Sequence, residues 1–400
     1  MNSILIILFL TALAGLVHSY LLYPWLVRQL AKRKPIQTPP LHAYFPKLSI
    51  ILPVHNEEKV IRAKVQSILG SRYPAHLIQI FIGSDASTDQ TNAILTALAA
   101  DETQISFFPY AERTGKPGVV NKLVSEAFKI KNQGADHILI ITDASVMLES
   151  NTLMHLVRHF QLPGIALVDT NMMPTGVQEA GISRSEKTYI SREVRLKYWE
   201  SLAWKHMIGP FGGCYALQSD YFTPVPDRFL VDDFYIAMRV FEKGGHAIND
   251  PEAICREPVT HEIREEYRRK SRISAGNYQN LHTFRHLWWP PWKNSLAFAF
   301  FSHKVLRWWG PFFLLTMLLC SGILAFQGNL LFRYLFLLQI IGYLGLPLLD
   351  YLSKGLRLHI LPLRSFLYFV WMNVALLEGF FKYLKGIKTN VWQPPKRSEI

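Results

Sequence analysis

The pattern of apolar and polar positions divides the chain into an apolar start, a mixed middle and an apolar end. From Ile4 to Trp25 only Thr11, His18 and Ser19 are clearly polar; about 22 helical residues reach roughly 33 Å, enough to cross a bilayer. One spanning helix is therefore predicted within 1–27. Arg28, Lys32, Arg33 and Lys34 follow at once, which by the positive-inside rule places that flank in the cytoplasm. A cleaved signal peptide calls for basic residues ahead of the apolar run, and none precedes Arg28. Pro35, Pro39, Pro40 and Pro46 make 28–46 a short, stiff, basic linker.

At the other end, Trp288, Trp289, Pro290, Pro291 and Trp292 precede Ser295 to Trp309, an apolar stretch interrupted by Lys304 and Arg307. That mixture predicts an interfacial helix over 288–309. Apolar runs at Pro311 to Phe326, Leu330 to Leu349 and Leu361 to Phe381 predict about three spans within 310–382, before a basic tail, 383–400. Three spans starting from the cytoplasm leave the tail outside with Lys382, Lys385, Lys388, Lys396 and Arg397, against the positive-inside rule. Either the last run, with Arg364 and Glu378 near its ends, lies in the interface, or the Ser295 segment also crosses.

Between Phe45 and Arg285 short apolar strands alternate with helical stretches, the pattern of an α/β domain around a mostly parallel sheet, here 47–287. Leu48 to Pro53, Ile78 to Gly83 and His137 to Thr142 read as strands, and Lys59 to Leu69 as a helix. Ligands of such sheets bind beyond the carboxyl ends of the strands. The polar segments there are Pro53-Val54-His55-Asn56-Glu57, Ser84-Asp85-Ala86-Ser87-Thr88-Asp89 and Asp143-Ala144-Ser145. Taken singly, each also suits a helix cap or an Asx turn.

Half of the 400 residues are hydrophobic and only 18% are charged, with a mean hydropathy of +0.11, which excludes disordered and fibrous classes and argues against a purely cytosolic enzyme. The net charge of +13 is compatible with nucleic acid, anionic lipid or a phosphate-bearing substrate. The basic residues flank apolar runs instead of forming a stripe among stacking aromatics, so nucleic acid is not expected as a partner. Cys214, Cys255 and Cys320 are far apart and form no CxxC pair, which supports neither a disulfide framework nor structural zinc.

The joint occurrence of the three strand-end segments resembles the family 2 inverting glycosyltransferases of the GT-A fold, in the group of membrane-bound cellulose, hyaluronan and poly-N-acetylglucosamine synthases and ceramide glucosyltransferases. The resemblance implies a nucleotide-sugar donor, with Pro53 and Glu57 lining the nucleoside pocket and Asp85 contacting the base, commonly uracil; Ser84 replaces one acid of the usual pair. Gly115-Lys116-Pro117-Gly118 resembles the family loop whose lysine approaches the diphosphate. Asp143-Ala144-Ser145 stands where the family has Asp-x-Asp, which implies Mg²⁺ or Mn²⁺ held by Asp143, with Ser145 direct or through water.

Gly209-Pro210-Phe211-Gly212-Gly213-Cys214-Tyr215 resembles the acceptor-side glycine-rich segment, which places Gly213, Cys214 and Tyr215 near the acceptor. Asp232-Asp233 stands where relatives carry Glu-Asp, which makes Asp233 the general base and Asp232 an acceptor-side group. Tyr267 to Ile273 occupies the place of Gln-x-x-Arg-Trp: Arg272 matches the arginine expected on the diphosphate, Arg269 falls on the acceptor side, and Ile273 replaces the Trp. The implied activity is that of a multi-pass membrane hexosyltransferase, its catalytic domain cytoplasmic, extending a polysaccharide or envelope glycan. The alternative is a single transfer to a lipid, which the departure from Gln-x-x-Arg-Trp favours. An export role would need a homo-oligomer or partner to complete a channel, and a non-catalytic nucleotide-binding scaffold is the reading from another class, suggested by Ser84 and Ser145.

Overall fold

A computed structural model describes residues 2–34, 38–130, 136–176, 182–258, 263–355 and 361–390. Pro35, Lys396 and Arg397 lie outside the described residues. The chain forms two compact units, Arg28–Val177 with Tyr189–His261 and Gly386–Ile400, and Met1–Val27 with Gln178–Thr188 and Glu262–Lys385.

The first unit carries the sheet. Its strands are β1 (Lys47–Val54), β2 (Ile78–Asp85), β3 (Ile105–Tyr110), β4 (His137–Thr142), β5 (Met147–Leu148), β6 (Ile165–Thr175), β7 (Cys214–Gln218) and β8 (His246–Pro258). Their order is β3-β2-β1-β4-β7-β6-β8-β5. β1, β2 and β4 are nearly continuous apolar runs because helices cover both faces, and they are buried almost throughout. β3 contains Pro109 and stands at the edge, where its missing N–H breaks no ladder. Ile50, Leu52, Ile80, Ile82, Ile140 and Ala216 form the centre of the core.

β1 pairs in parallel with both β2 and β4, so the strand order turns about it, and ligands of such sheets bind beyond the carboxyl ends of the strands at that turning point. β7 runs antiparallel to β4 and to β6, and β8 runs parallel to β6. Two antiparallel steps restore direction, so β4, β6 and β8 all point to the same edge. The expected strands are present, the first one residue longer at each end and the second running on through Asp85. The helix expected from Lys59 begins at Ile61.

The second unit is helical. Asn2–Ala31 and Leu330–Asp350 are long and apolar enough to cross a membrane, and Ser295–Trp308 with Gly310–Phe326, bent by 58°, make a third if each bent pair is one span. The segment expected to lie in the interface is thus a helix leading, through that bend, into the next apolar run. Gly15 lies under the Phe313 ring, where an added Cβ would sit 2.9 Å from Cε2, and Phe9 meets Phe332 edge-on at 5.3 Å. Ile263–Thr283 packs along Leu361–Leu384, with Gly379 against Ser274 and the Ser274 hydroxyl donating to the Leu376 carbonyl at 3.0 Å.

Candidate active site at the carboxyl edge of the sheet

The segments after β1 and β2 are knitted together. The Asn56 amide donates to Ser87 Oγ at 3.1 Å, the Thr88 amide to Asn56 Oδ1 at 2.8 Å and the Glu57 amide to Thr91 Oγ1 at 2.8 Å. Asp85 is fully buried; Oδ1 accepts from the Thr114 amide at 2.7 Å and Oδ2 from the Gly115 amide at 3.0 Å. That carboxylate anchors the start of the helix Gly115–Lys129, and with it Lys116.

Lys116 Nζ lies 2.7 Å from Asp143 Oδ1 and 3.9 Å from Asp232 Oδ2. Burial works against its charge, but Asp143, Asp232 and Asp233 outweigh it and hold its pKa above the usual value. Asp143 heads a tight turn in which the Val146 amide donates to the Asp143 carbonyl at 3.2 Å, while the Asp143 amide donates to the Gly213 carbonyl at 2.9 Å. Beneath the turn, the fully buried Lys64 donates to Thr142 Oγ1 at 2.9 Å and to the Val146 carbonyl, its pKa lowered to about 8 by burial. Sequence reasoning missed this lysine, whose place on an amphipathic helix looks like that of any surface residue. It also missed Glu257 on β8, whose Oε1 accepts from Ser145 Oγ at 3.3 Å.

Asp232 and Asp233 open the helix Asp232–Glu242, where a carboxylate favours the helix dipole. Asp233 Oδ1 accepts from the Phe234 amide at 2.8 Å, and Oδ2 lies so close over Gly212 that a Cβ there would be 2.1 Å away. Gly212 has φ +91°, a conformation suited to glycine. The buried Asp169 fixes this loop by accepting from the Phe211 amide at 3.1 Å and from Lys197 Nζ at 2.7 Å. Desolvation first, and then the Asp232 charge, push the Asp233 pKa up to about 7, against the pull of Lys116. Such a carboxyl can take up and release a proton near neutrality.

Asp232 Oδ2 and Tyr215 Oη are buried and accept or donate no hydrogen bond among the described residues. Asp232 Oδ2 borders the Lys116 and Asp143 pair, and the Tyr215 phenol is pushed up by desolvation first and then by the charges of Asp232, Asp233 and Asp143. Cys214, on β7, and Cys255, on β8, are buried thiols, as is Cys320 in Gly310–Phe326. Pro53 ends among the buried residues of β1, and Gly213 lies under Met172 and Val146. Arg269 and Arg272 stand on Ile263–Thr283 in the helical unit, where Arg269 Nε donates to Glu266 Oε2 at 2.8 Å. A separate grouping of His155, Asp250 and Glu252 has the spacing of metal ligands, but the Arg158 guanidinium already pairs with both acids, contacting Asp250 at 2.8 Å and Glu252 at 2.5 Å.

A half-buried ammonium and an adjoining set of carboxylates at the carboxyl edge of the sheet are the geometry to set beside known proteins. The chain is 22% identical over 246 residues to the probable glycosyltransferase YdaM of Bacillus subtilis (strain 168), covering 58% of this chain and 55% of that protein. It is 25% identical over 151 residues to the beta-monoglucosyldiacylglycerol synthase of Nostoc sp. (strain PCC 7120 / SAG 25.82 / UTEX 2576), covering 37% of this chain and 31% of that one. The match thus spans about half the length of the first relative and about a third of the second. In fold the chain is similar to the mannosyltransferase PcManGT from Pyrobaculum calidifontis in complex with GDP-Man and Mn²⁺, with a TM-score of 0.72 and 21% identity over 95% of this chain and 99% of that one. The fold is therefore the α/β GT-A fold. Residues 49–219 match glycosyl transferase family 2 and residues 137–383, more than half of the chain, match glycosyl transferase family group 2, so the protein belongs to that family.

Proposed function

We propose that the chain inverts the anomeric centre of a nucleoside-diphosphate sugar, a UDP-sugar in the first instance, while moving that sugar to the hydroxyl of a membrane lipid at the cytoplasmic face. The observation that carries this reading is the half-buried Asp233 carboxyl, raised to about 7, beside the Lys116 ammonium that spans Asp143 and Asp232. Asp233 takes the proton of the acceptor hydroxyl as its oxygen bonds to the anomeric carbon. The bond from that carbon to the diphosphate breaks on the opposite side, and one base with no protein nucleophile gives inversion. Lys116 meets the charge that accumulates on the leaving diphosphate, an electrostatic role in a partly dry site. Asp85 and the knitted loops after β1 and β2 orient the nucleoside.

Asp143, Ser145 and the buried, unbonded Asp232 Oδ2 offer the hard oxygen donors that Mg²⁺ and Mn²⁺ prefer. A divalent ion bound there supplies charge neutralisation of the diphosphate. The lipid acceptor is favoured by Ile273 in place of the Trp of Gln-x-x-Arg-Trp and by the likeness to a glucolipid synthase. A polymerising reaction, with a second copy or an export partner completing a path through the bilayer, is the competing outcome of the same test.

Purified protein is incubated with radiolabelled UDP-sugars, GDP-mannose and lipid extract, and the products are sized. One added sugar on a lipid is expected, whereas a ladder would sink the lipid reading. Asp233→Asn is expected to lower turnover by about 10²–10⁴-fold while nucleotide binding persists; normal turnover would remove Asp233 from the role of base.

A further inference from the structure

Ser145 stands where the resemblance leads one to expect a second acid, so the turn after β4 brings only one carboxylate, Asp143, to the diphosphate site. The sheet supplies another from 112 residues further along the chain. β8 points to the same edge as β4, and it pairs antiparallel with β5 through Met147↔Arg256 and Leu148↔Cys255. Continuing that register brings Glu257 opposite Val146, beside Ser145. Side chains alternate between the faces of a strand. Arg256 accordingly turns outward to Glu149, with Nε donating to Oε1 at 3.0 Å, whereas Cys255 and Glu257 share the other face, and Ser145 Oγ, itself buried, donates to Glu257 Oε1 at 3.3 Å. Among the described residues no cation pairs with Glu257.

Negative charge also outnumbers positive charge in this neighbourhood. Asp143, Asp232, Asp233 and Glu257 come to this edge against two ammoniums, Lys116 and the Lys64 buried beneath the turn, and Asp232 Oδ2 is left buried and without a hydrogen bond. An excess of carboxylate oxygen with one buried oxygen unused is the condition that a hard divalent cation relieves.

We propose that Glu257 supplies the second carboxylate of the divalent-cation site, taking the place of the acid that Ser145 lacks, and that Ser145 orients it by hydrogen bonding to one oxygen and leaving the other for the ion. Oriented ligation through such a neighbour is typical of metal sites, where losing the orienting partner costs about 10–100-fold in affinity. The assignment rests on the glycosyltransferase reading given above and adds to it a ligand from a distant strand. The site takes Mg²⁺ or Mn²⁺ together with a nucleoside diphosphate.

The test is binding of Mn²⁺ to the full-length protein in detergent, read by the electron spin resonance of the free ion, with UDP and then GDP present. Glu257→Gln is expected to weaken nucleotide-dependent Mn²⁺ binding by at least about tenfold, and Ser145→Ala to weaken it less. Ser145→Asp in the Glu257→Gln background returns a carboxylate to the turn and is expected to restore most of the affinity, a recovery that a misfolded variant would not show. Equal Mn²⁺ binding by wild type and Glu257→Gln overturns the role of Glu257 and leaves the enzyme assignment standing. Failure of the wild type to bind Mn²⁺ with either nucleotide overturns the metal site as a whole, and sugar transfer measured on the same preparation then shows whether the enzyme assignment falls with it.

Discussion

Gly212→Ala separates the position of the base from the stability of its loop. An alanine Cβ at this position would sit 2.1 Å from Asp233 Oδ2, so the carboxylate must retreat by roughly 1.3 Å to regain ordinary contact. A shift of about 1 Å at a reacting group can cost about 10²-fold in rate. The positive φ of +91° adds backbone strain of about 1–3 kcal/mol. Gly244→Ala is the matched control, for it has φ +77° and nothing within 4 Å of the added methyl, so it carries the strain without the clash. Both variants are expected to lower the melting temperature by several degrees. Only Gly212→Ala should lose turnover, by about two orders of magnitude, measured as initial rates of sugar transfer at saturating donor. Wild-type turnover in Gly212→Ala, with the same thermal shift as the control, would refute the placement of the base over this glycine. Equal loss in both would assign the effect to loop stability.

Further expectations follow from the same geometry. Because Asp233 works deprotonated and its pKa is raised to about 7, kcat/KM of the free enzyme should rise with pH through that value and level off above it. Asp232→Asn removes the like charge and should move this limb to lower pH; a limb that stays in place would show that the titrating group is another one. Lys197→Met leaves the buried Asp169 without its cation and should destabilise the fold by about 3–5 kcal/mol, and adding Asp169→Asn should recover part of the loss in a denaturant titration. No recovery would mean that Lys197 contributes by packing, not by charge.

The sequence is legible where burial alone dictates the pattern. β1, β2 and β4 are apolar runs that end in polar residues, and these strands place Pro53, Asp85 and Asp143 on one edge. β8 resists reading because it contains Asn249, Asp250, Pro251 and Glu252, a composition that suits a turn. It is a strand because partners elsewhere satisfy those groups: Asn249 donates to the Thr170 carbonyl at 2.8 Å, and Asp250 accepts from Arg158 and His159. A register shift between Asp169 and Asn171 absorbs the irregularity. Glu257 is hidden for the same reason, since its partner Ser145 is remote in sequence and only the sheet brings them together. The N-terminal helix runs on past Trp25 to Ala31 because Leu26, Arg28, Gln29, Leu30 and Ala31 are good helix formers. Arg269 and Arg272 follow from motif position alone, and the helix that carries them belongs to the other unit.

The cysteines have a practical use beyond the enzyme's chemistry. Burial pushes the Cys214 thiol up to about 11 and the Cys255 thiol well above its usual value, and Cys320 is enclosed among helices. Thiolate is the species that alkylating dyes attack, so the native chain is nearly silent to them. A single cysteine introduced at an exposed position such as Glu112, in the loop that Asp85 anchors, therefore becomes the one bright point on the molecule, with no native cysteine to remove first.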